Sequence, residues 1–473
     1  MTGISGYGTW VPYFRMKREN ISGAWGMPTG RGERAVANFD EDSVSMAVNA
    51  GMNCLPGNDA RDIDALFFAT TTAPYREKGS GGTMAAALGL RQDVRTIEMG
   101  GSLRSGIAAL ITGFDLAAGG KRVLVTSADC RLAAPQSAYE QVLGDGGCAF
   151  LLDDKDVIAE IEHCESFNQE LQGYWRGNED KFLQTAEDRF SGSKYAKIVV
   201  SALGQFATEH SISVGDFQKV IIDAPTPKLQ LTVAKMLGLD REQLVSGILE
   251  MVGHTGAAAA SMMLAKGLSE AKSGDRILVV AFGEGCDIVT MKVTDNIAKY
   301  DPRHTLAEQL AQKDDQLQYT AYLKWRGLID TEPPRRPETQ VPSQPALYRN
   351  NQQNLGFEGC RCTNCGTAQF PKQRVCVHCR AKDEMEEYSF RGKDGKVVTF
   401  TADYLAASPA PPSIFAVVDF DGGGRMLAEV TDCPEQQVKI GERVQFTFRR
   451  LYSVGGVSNY FWKAVPKRGE VNE

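Results

Sequence analysis

Short, continuous apolar runs alternate along the first 150 residues with stretches in which small apolar side chains recur at helical spacing. Asp64-Ala-Leu-Phe-Phe-Ala-Thr70 and Arg122-Val-Leu-Val-Thr-Ser127 read as buried strands, and Gly144-Asp-Gly-Gly-Cys-Ala-Phe-Leu-Leu152 reads as a tight turn feeding a third. Runs that do not alternate apolar with polar predict a sheet covered by helices on both faces. Asp40-Glu-Asp42 stands where it would cap a helix carrying Met46, Ala50 and Cys54. Thr96-Ile-Glu-Met-Gly-Gly-Ser-Leu-Arg-Ser-Gly-Ile-Ala-Ala-Leu110 predicts a strand that turns sharply into a buried helix. Such a turn exposes the side chain at its apex and aims helix-terminal N–H groups at a ligand, which makes Ser102 to Arg104 a candidate reactive centre.

Residues 151–190 are less regular and predict an excursion over a pocket, marked by Gly173-Tyr-Trp-Arg-Gly177. The alternation then resumes. Lys219-Val-Ile-Ile-Asp223 is a predicted strand, Leu229 to Leu237 a helix, and Arg276-Ile-Leu-Val-Val-Ala-Phe282 a strand. Gly283-Glu-Gly-Cys-Asp-Ile-Val-Thr-Met291 loosely repeats the turn and strand at Gly144, so an α/β unit is read as duplicated, its halves at about 1–155 and 190–298. Residues 299–349 read as a helical piece ending near Arg326, then a connector with Pro333-Pro-Arg-Arg-Pro337 and Val341-Pro-Ser-Gln-Pro345.

Cys362-Thr-Asn-Cys365 and Cys376-Val-His-Cys379 then form two knuckles whose spacing suits a closed tetrahedral zinc site within 350–385. Iron or a reduced thiol cluster is the alternative; Cys360 is a spare and His378 a bystander. Five short runs between 386 and 470, broken by Gly and Pro turns, predict a small barrel of the oligonucleotide/oligosaccharide-binding (OB) type. Arg449-Arg450 and Lys463 read there as a thin positive patch that would meet a ligand phosphate or the first domain.

The 473 residues carry a net charge of −7 and no basic tract, which argues against nucleic acid as the main partner. The apolar runs are strand-length, so no membrane span is expected. No basic region precedes an apolar core at the start, and most of the eleven cysteines are scattered singly. A cytoplasmic protein without a disulfide scaffold is expected.

Residues 1 to about 297 resemble the thiolase superfamily in its hydroxymethylglutaryl-CoA synthase and ketoacyl synthase III branch. The matching stretches are Asp40-Glu-Asp42, Pro74-Tyr75, Ser127-Ala-Asp-Cys-Arg131 with Glu140, Gly144-Asp-Gly146, Tyr174-Trp-Arg176 and Gly253-His-Thr-Gly256. Residues 350–466 resemble the rubredoxin-like zinc ribbon and OB-fold that accompany many such enzymes. The resemblance implies a duplicated α/β/α/β/α fold, a CoA thioester as substrate, a homodimer, and a C-terminal domain able to dock a partner enzyme.

It also implies a reaction centre from which this chain departs. The family cysteine falls on Leu103, or on Ser102 with a one-residue slip; the family His falls on Asp223, the Asn on His254 and the acidic Glu on Thr71. Cys130, Cys148 and Cys286 do not replace the lost nucleophile. Asp223 and His254 remain as an acid/base set, with Ser102, Glu140 and Tyr75 as further catalytic candidates and Tyr139 as another proton donor. Arg104, Lys228, Arg131 and Tyr174 are candidates for holding the CoA ester. Arg104 would pair with a substrate carboxylate or with Glu98, Arg131 with Asp129, and His254 either faces the pocket or caps the helix beyond Gly256. Aldol or retro-aldol chemistry on a hydroxyacyl-CoA is the reading these residues favour. A condensing acyltransferase that uses Ser102 and a non-catalytic acyl-CoA-binding scaffold are the alternatives.

Overall fold

The computed structural model describes residues 2–55, 60–332 and 343–467. The predicted proline run at 333–337, and the first two residues of that at 341–345, lie outside these. The chain divides into two units. The first is Met1–Ala37, Asp42–Ala85 and Leu90–Tyr319, and the second is Asn38–Glu41, Ala86–Gly89 and Thr320–Glu473.

Nine strands form the sheet of the first unit: β1 (Gly3–Trp10), β2 (Ala65–Ala69), β3 (Arg95–Met99), β4 (Val123–Asp129), β5 (Gly146–Asp153), β6 (Ala159–Asn168), β7 (Lys219–Ile222), β8 (Arg276–Gly283) and β9 (Gly285–Val293). Their order is β7-β8-β9-β6-β1-β5-β4-β2-β3. Outward from the β6–β1 seam the two sides mirror each other. On one side β9 runs antiparallel to β8, which runs parallel to β7; on the other β5 runs antiparallel to β4, which runs parallel to β2. The first half adds only the edge strand β3. This is the duplicated thiolase-like fold, and the predicted strands take their expected places. Residues 159–168 are the exception: they form a ten-residue strand beside the seam, where Glu160, Glu162, His163 and Glu165 hide the pattern of a central strand.

Helix α1 (Ser43–Cys54) is buried along its whole length. Asp42 accepts from the Ser45 N–H while Ser45 Oγ accepts from the Asp42 N–H, a reciprocal cap. Helix α2 (Ser105–Ala118) follows β3 through the predicted sharp turn. Two further helices of the second half are α3 (Pro227–Met236) and α4 (Ala259–Glu270). Residues 299–319 pack on the first unit instead of spanning a gap. Tyr300 stacks obliquely on Tyr7, and Gln309 Nε2 donates to the Thr9 carbonyl.

In the second unit, strands β10 (Glu358–Cys362), β11 (Ala368–Gln369) and β12 (Met385–Ser389) make the ribbon sheet. Strands β13 (Gly395–Asp403), β14 (Ser413–Phe420), β15 (Arg425–Val430), β16 (Arg443–Val454) and β17 (Val457–Pro466) close into a five-stranded barrel. Alternate side chains fill it, including Ala416, Val418, Phe446, Phe448 and Trp462. The expected positive patch is not a surface. Arg449 and Lys463 are buried among acids of the same unit: Arg449 Nη1 lies 3.1 Å from Asp40 and 3.0 Å from Glu41, and Lys463 Nζ lies 3.0 Å from Asp40 and 2.9 Å from Glu429. Arg450 instead donates to the Phe39 carbonyl. Cations buried this deeply require such partners.

Candidate active site

The turn between β3 and α2 places Gly101, Ser102 and Leu103 on the wall of a cavity of about 140 Å³, together with Thr71, Arg131, Tyr174, Arg176 and Glu284. Leu103, Arg131 and Tyr174 also border a narrow recess shared with Tyr139, Leu143, Pro225 and His254. The excursion predicted at 151–190 contributes a hairpin, Tyr174–Trp175 against Gln184–Thr185, whose Tyr174 ring packs edge-on to Tyr139.

Behind this wall stands a buried polar row. Arg131 Nη2 lies 2.9 Å from His254 Nδ1, and the Gly256 N–H donates to the same nitrogen at 3.2 Å. Arginine and a backbone amide only donate, so Nδ1 accepts and the ring proton sits on Nε2. Nε2 in turn lies 3.2 Å from Asp223 Oδ1. All three side chains are buried, and the Arg131 Nε and Asp223 Oδ1 atoms have no hydrogen-bond partner. Burial lowers the pKa of Arg131, and the negative charge of Asp129 partly offsets this. The structure therefore brings Asp223, His254 and Arg131 together. His254 Nδ1 is taken by two donors and Nε2 carries the ring proton, however, so the imidazole orients Arg131 and also caps the turn at Gly256.

Arg131 does not pair with Asp129 by hydrogen bonding. The Asp129 carboxylate accepts from the hydroxyls of Thr70, Thr71 and Thr72 and from the Ala257 N–H. Thr71 thus serves to hold Asp129. Arg104 does not pair with Glu98. Its Nη1 donates to Asp287 at 3.0 Å, while Glu98 accepts from the Ser80 N–H. Ser102 Oγ donates to Glu284 Oε2 at 2.6 Å.

Three other candidates lie elsewhere. Glu140 is buried away from the cavity, its carboxylate accepting from the Tyr319 hydroxyl at 2.8 Å and the Gln136 N–H at 3.0 Å, and burial raises its pKa. Tyr75 borders an open cleft of about 720 Å³ that adjoins the cavity through Thr71, Gly101 and Arg176. Lys228 is exposed at the start of α3 and borders none of these spaces. Burial pushes the Cys286 thiol up to about 12 and that of Cys148 well above its ordinary value, as suits core fillers. Sequence reasoning missed Glu284. The Gly-Glu-Gly turn that carries it was the only signal.

In the ribbon, the sulfurs of Cys362, Cys365, Cys376 and Cys379 all lie within 4.8 Å of one another. The Cys362–Cys379 and Cys365–Cys376 separations are 3.6 and 3.5 Å. A tetrahedron with zinc–sulfur bonds of about 2.3 Å has edges of about 3.8 Å, so the four thiolates fit a closed structural zinc. Cys360 lies outside the set, its sulfur accepting from the Gln373 N–H.

Comparison with known proteins agrees with this fold. Residues 207–294 match the C-terminal domain of 3-oxoacyl-[acyl-carrier-protein] synthase III, residues 356–386 the ChsH2 rubredoxin-like zinc ribbon, and residues 389–449 the ChsH2 C-terminal OB-fold domain. A hydroxymethylglutaryl-CoA synthase of Methanocella arvoryzae is 30% identical over 344 residues, covering 70% of this chain and 99% of the relative. That of Thermococcus sibiricus is 31% identical over 338 residues, covering 69% and 96%. A solved hydroxymethylglutaryl-CoA synthase complexed with CoA shares the fold, with a TM-score of 0.63, 19% identity and coverage of 68% of this chain and 89% of that one. The curacin-pathway hydroxymethylglutaryl synthase does so with a TM-score of 0.61, 20% identity and coverage of 69% and 88%. The chain belongs to the hydroxymethylglutaryl-CoA synthase family of the thiolase superfamily, enzymes of acyl-CoA-dependent carbon–carbon bond chemistry. To that catalytic fold it joins a zinc ribbon and an OB barrel.

Proposed function

We propose that the chain makes or breaks a carbon–carbon bond of a hydroxyacyl-CoA by aldol or retro-aldol chemistry, with no acyl-enzyme intermediate. The observation that carries this reading is Arg131. It is a buried guanidinium with an unpartnered Nε–H, and it borders the cavity beside Ser102 and Leu103, the two positions on which the family resemblance puts the acyl-holding cysteine. A leucine carries no acyl group. A fixed cation in a site that excludes most water stabilises the oxygen of a thioester enolate, the charge that develops when the bond forms or breaks. His254 orients Arg131, Asp223 orients His254, and the N–H groups at the start of α2 add to the same positive field. Tyr174 encloses the thioester from the hairpin side.

A condensing acyltransferase is the second reading. It is favoured by the names of the relatives and by Ser102, whose hydroxyl faces the cavity against a carboxylate. Incubation with 3-hydroxy-3-methylglutaryl-CoA and with acetyl-CoA separates the two. The aldol reading expects C–C cleavage with an unmodified protein mass, whereas the condensing reading expects an acyl adduct on Ser102. Homodimerisation, docking of a partner enzyme through the barrel and a cytoplasmic setting belong to the same proposal and rest on the family resemblance. No helix among the described residues is long and apolar enough to cross a membrane.

A further inference from the structure

The aldol reading needs a group that takes the proton of the substrate hydroxyl, and the Arg131–His254–Asp223 row does not supply one. Arginine stays protonated, His254 Nδ1 already accepts from Arg131 and Gly256 while Nε2 carries the ring proton, and Asp223 does not border the cavity. On the same cavity wall, Ser102 Oγ donates to Glu284 Oε2 at 2.6 Å and accepts from the Arg104 N–H at 3.4 Å. One lone pair of the serine oxygen remains for a third partner.

The local backbone is shaped to hold this pair. A Cβ at Gly283 would lie 2.5 Å from Ser102 Oγ, so a larger residue there would displace the serine. Gly285 has φ +113°, and a Cβ on it would lie 1.8 Å from the Phe167 carbonyl oxygen. Glycines on both sides thus let the β8–β9 turn bring Glu284 over the serine. Glu284 is exposed, and its carboxylate accepts from Ser102.

We propose that Glu284, acting through Ser102, is the general base and acid of the reaction. This assignment rests on the aldol reading above. In the cleavage direction the substrate C3 hydroxyl gives its proton to Ser102 Oγ as the serine proton passes to Glu284. The C2–C3 bond breaks, its electron pair stays on C2 as the thioester enolate, and C3–O becomes a carbonyl. The proton held by Glu284 then returns through Ser102 to C2. The products are an acyl-CoA and an aldehyde or ketone, and the pair is restored.

The return step runs backward on acetyl-CoA alone, as exchange of its methyl hydrogens in D2O, and so needs no carbonyl co-substrate. The test follows that exchange by mass spectrometry for the intact chain and for Glu284→Gln, Glu284→Asp and Ser102→Ala. The same proteins are assayed for cleavage of 3-hydroxy-3-methylglutaryl-CoA, and their thermal melting is recorded. The expected result is exchange by the parent chain and a loss of about 100-fold or more in Glu284→Gln and Ser102→Ala at unchanged melting, with partial recovery in Glu284→Asp. Exchange in both Glu284→Gln and Ser102→Ala within about threefold of the parent would overturn the assignment and leave the aldol reading standing. A parent chain that neither exchanges nor cleaves these probes, or that gains an acyl group on Ser102, would overturn the aldol reading and this assignment with it.

Discussion

Arg131 and His254, 123 positions apart, meet at 2.9 Å with the arginine as donor, which fixes the imidazole as an acceptor at Nδ1. The contact leaves a buried guanidinium held by an imidazole whose Nε2 lies 3.2 Å from Asp223.

If Arg131 stabilises the enolate oxygen, Arg131→Ala lowers kcat by about 100- to 1,000-fold, the usual cost of losing one oxyanion donor. Arg131→Lys does not restore it, because a single ammonium cannot hold the His254 nitrogen and face the cavity in the same geometry. His254→Ala acts through the same arginine, so the double variant falls hardly below Arg131→Ala alone. Steady-state kinetics of the three variants and the double variant check this non-additivity.

The ribbon is expected to hold one zinc per chain. Cys376→Ser loses the metal, while Cys360→Ser keeps it, because only the former belongs to the set of four sulfurs within 4.8 Å. Metal content by elemental analysis and melting with and without chelator decide this. Chelation lowers the melting temperature of the parent and of Cys360→Ser.

Arg449 is ringed by Asp40, Glu41 and Asp432 with no access to water. Arg449→Met leaves Glu41 and Asp432 without this cation, and Asp40 with Lys463 alone, and costs about 3–5 kcal/mol of stability, read by denaturant unfolding. Adding Asp40→Asn and Asp432→Asn to the same chain recovers part of the loss.

The same cluster makes stability depend on pH. Burial pushes Glu41 up to about 7 from an ordinary 4.5, against the pull of Arg449 and with the repulsion of Asp432 and Asp40. Burial opposes ionisation of Asp40 as well, but Lys463 and Arg449 outweigh it and hold that carboxyl below its ordinary range. Between pH 4.5 and 7 the folded chain therefore keeps a proton on Glu41 that the unfolded chain has lost. Unfolding releases it, and stability falls as pH rises through this window. The contribution of Asp40 has the opposite sign and lies lower: it is present above pH 3.8 and lost as pH falls through its folded value. The melting temperature of the parent is expected to decline from pH 5 to 8 by more than that of Glu41→Gln.

What the sequence disclosed follows from how local each signal is. The two CxxC knuckles, the Gly-rich turn at Ser102 and the five barrel strands are written within a few residues of one another, and each appears where expected. Strand β6 was illegible because its alternating acids imitate an exposed segment. Arg449 and Lys463 resembled a surface patch because Asp40 and Glu41 lie some 400 positions away. That Leu103 and His254 border one recess, with Asp223 beside His254, was expected from the sequence, but their chemistry was not legible there. That His254 faces Arg131, and that Ser102 faces Glu284 across 182 positions, are relations that only the folded chain displays.

The most direct test is to incubate the protein with 3-hydroxy-3-methylglutaryl-CoA, follow release of acetyl-CoA, and take the intact mass of the protein from the same samples during turnover. The account predicts acetyl-CoA release slowed about 100- to 1,000-fold by Arg131→Ala, with the protein mass unchanged throughout. An acyl-sized mass gain mapped to Ser102, or no acetyl-CoA release from the parent chain, would contradict it.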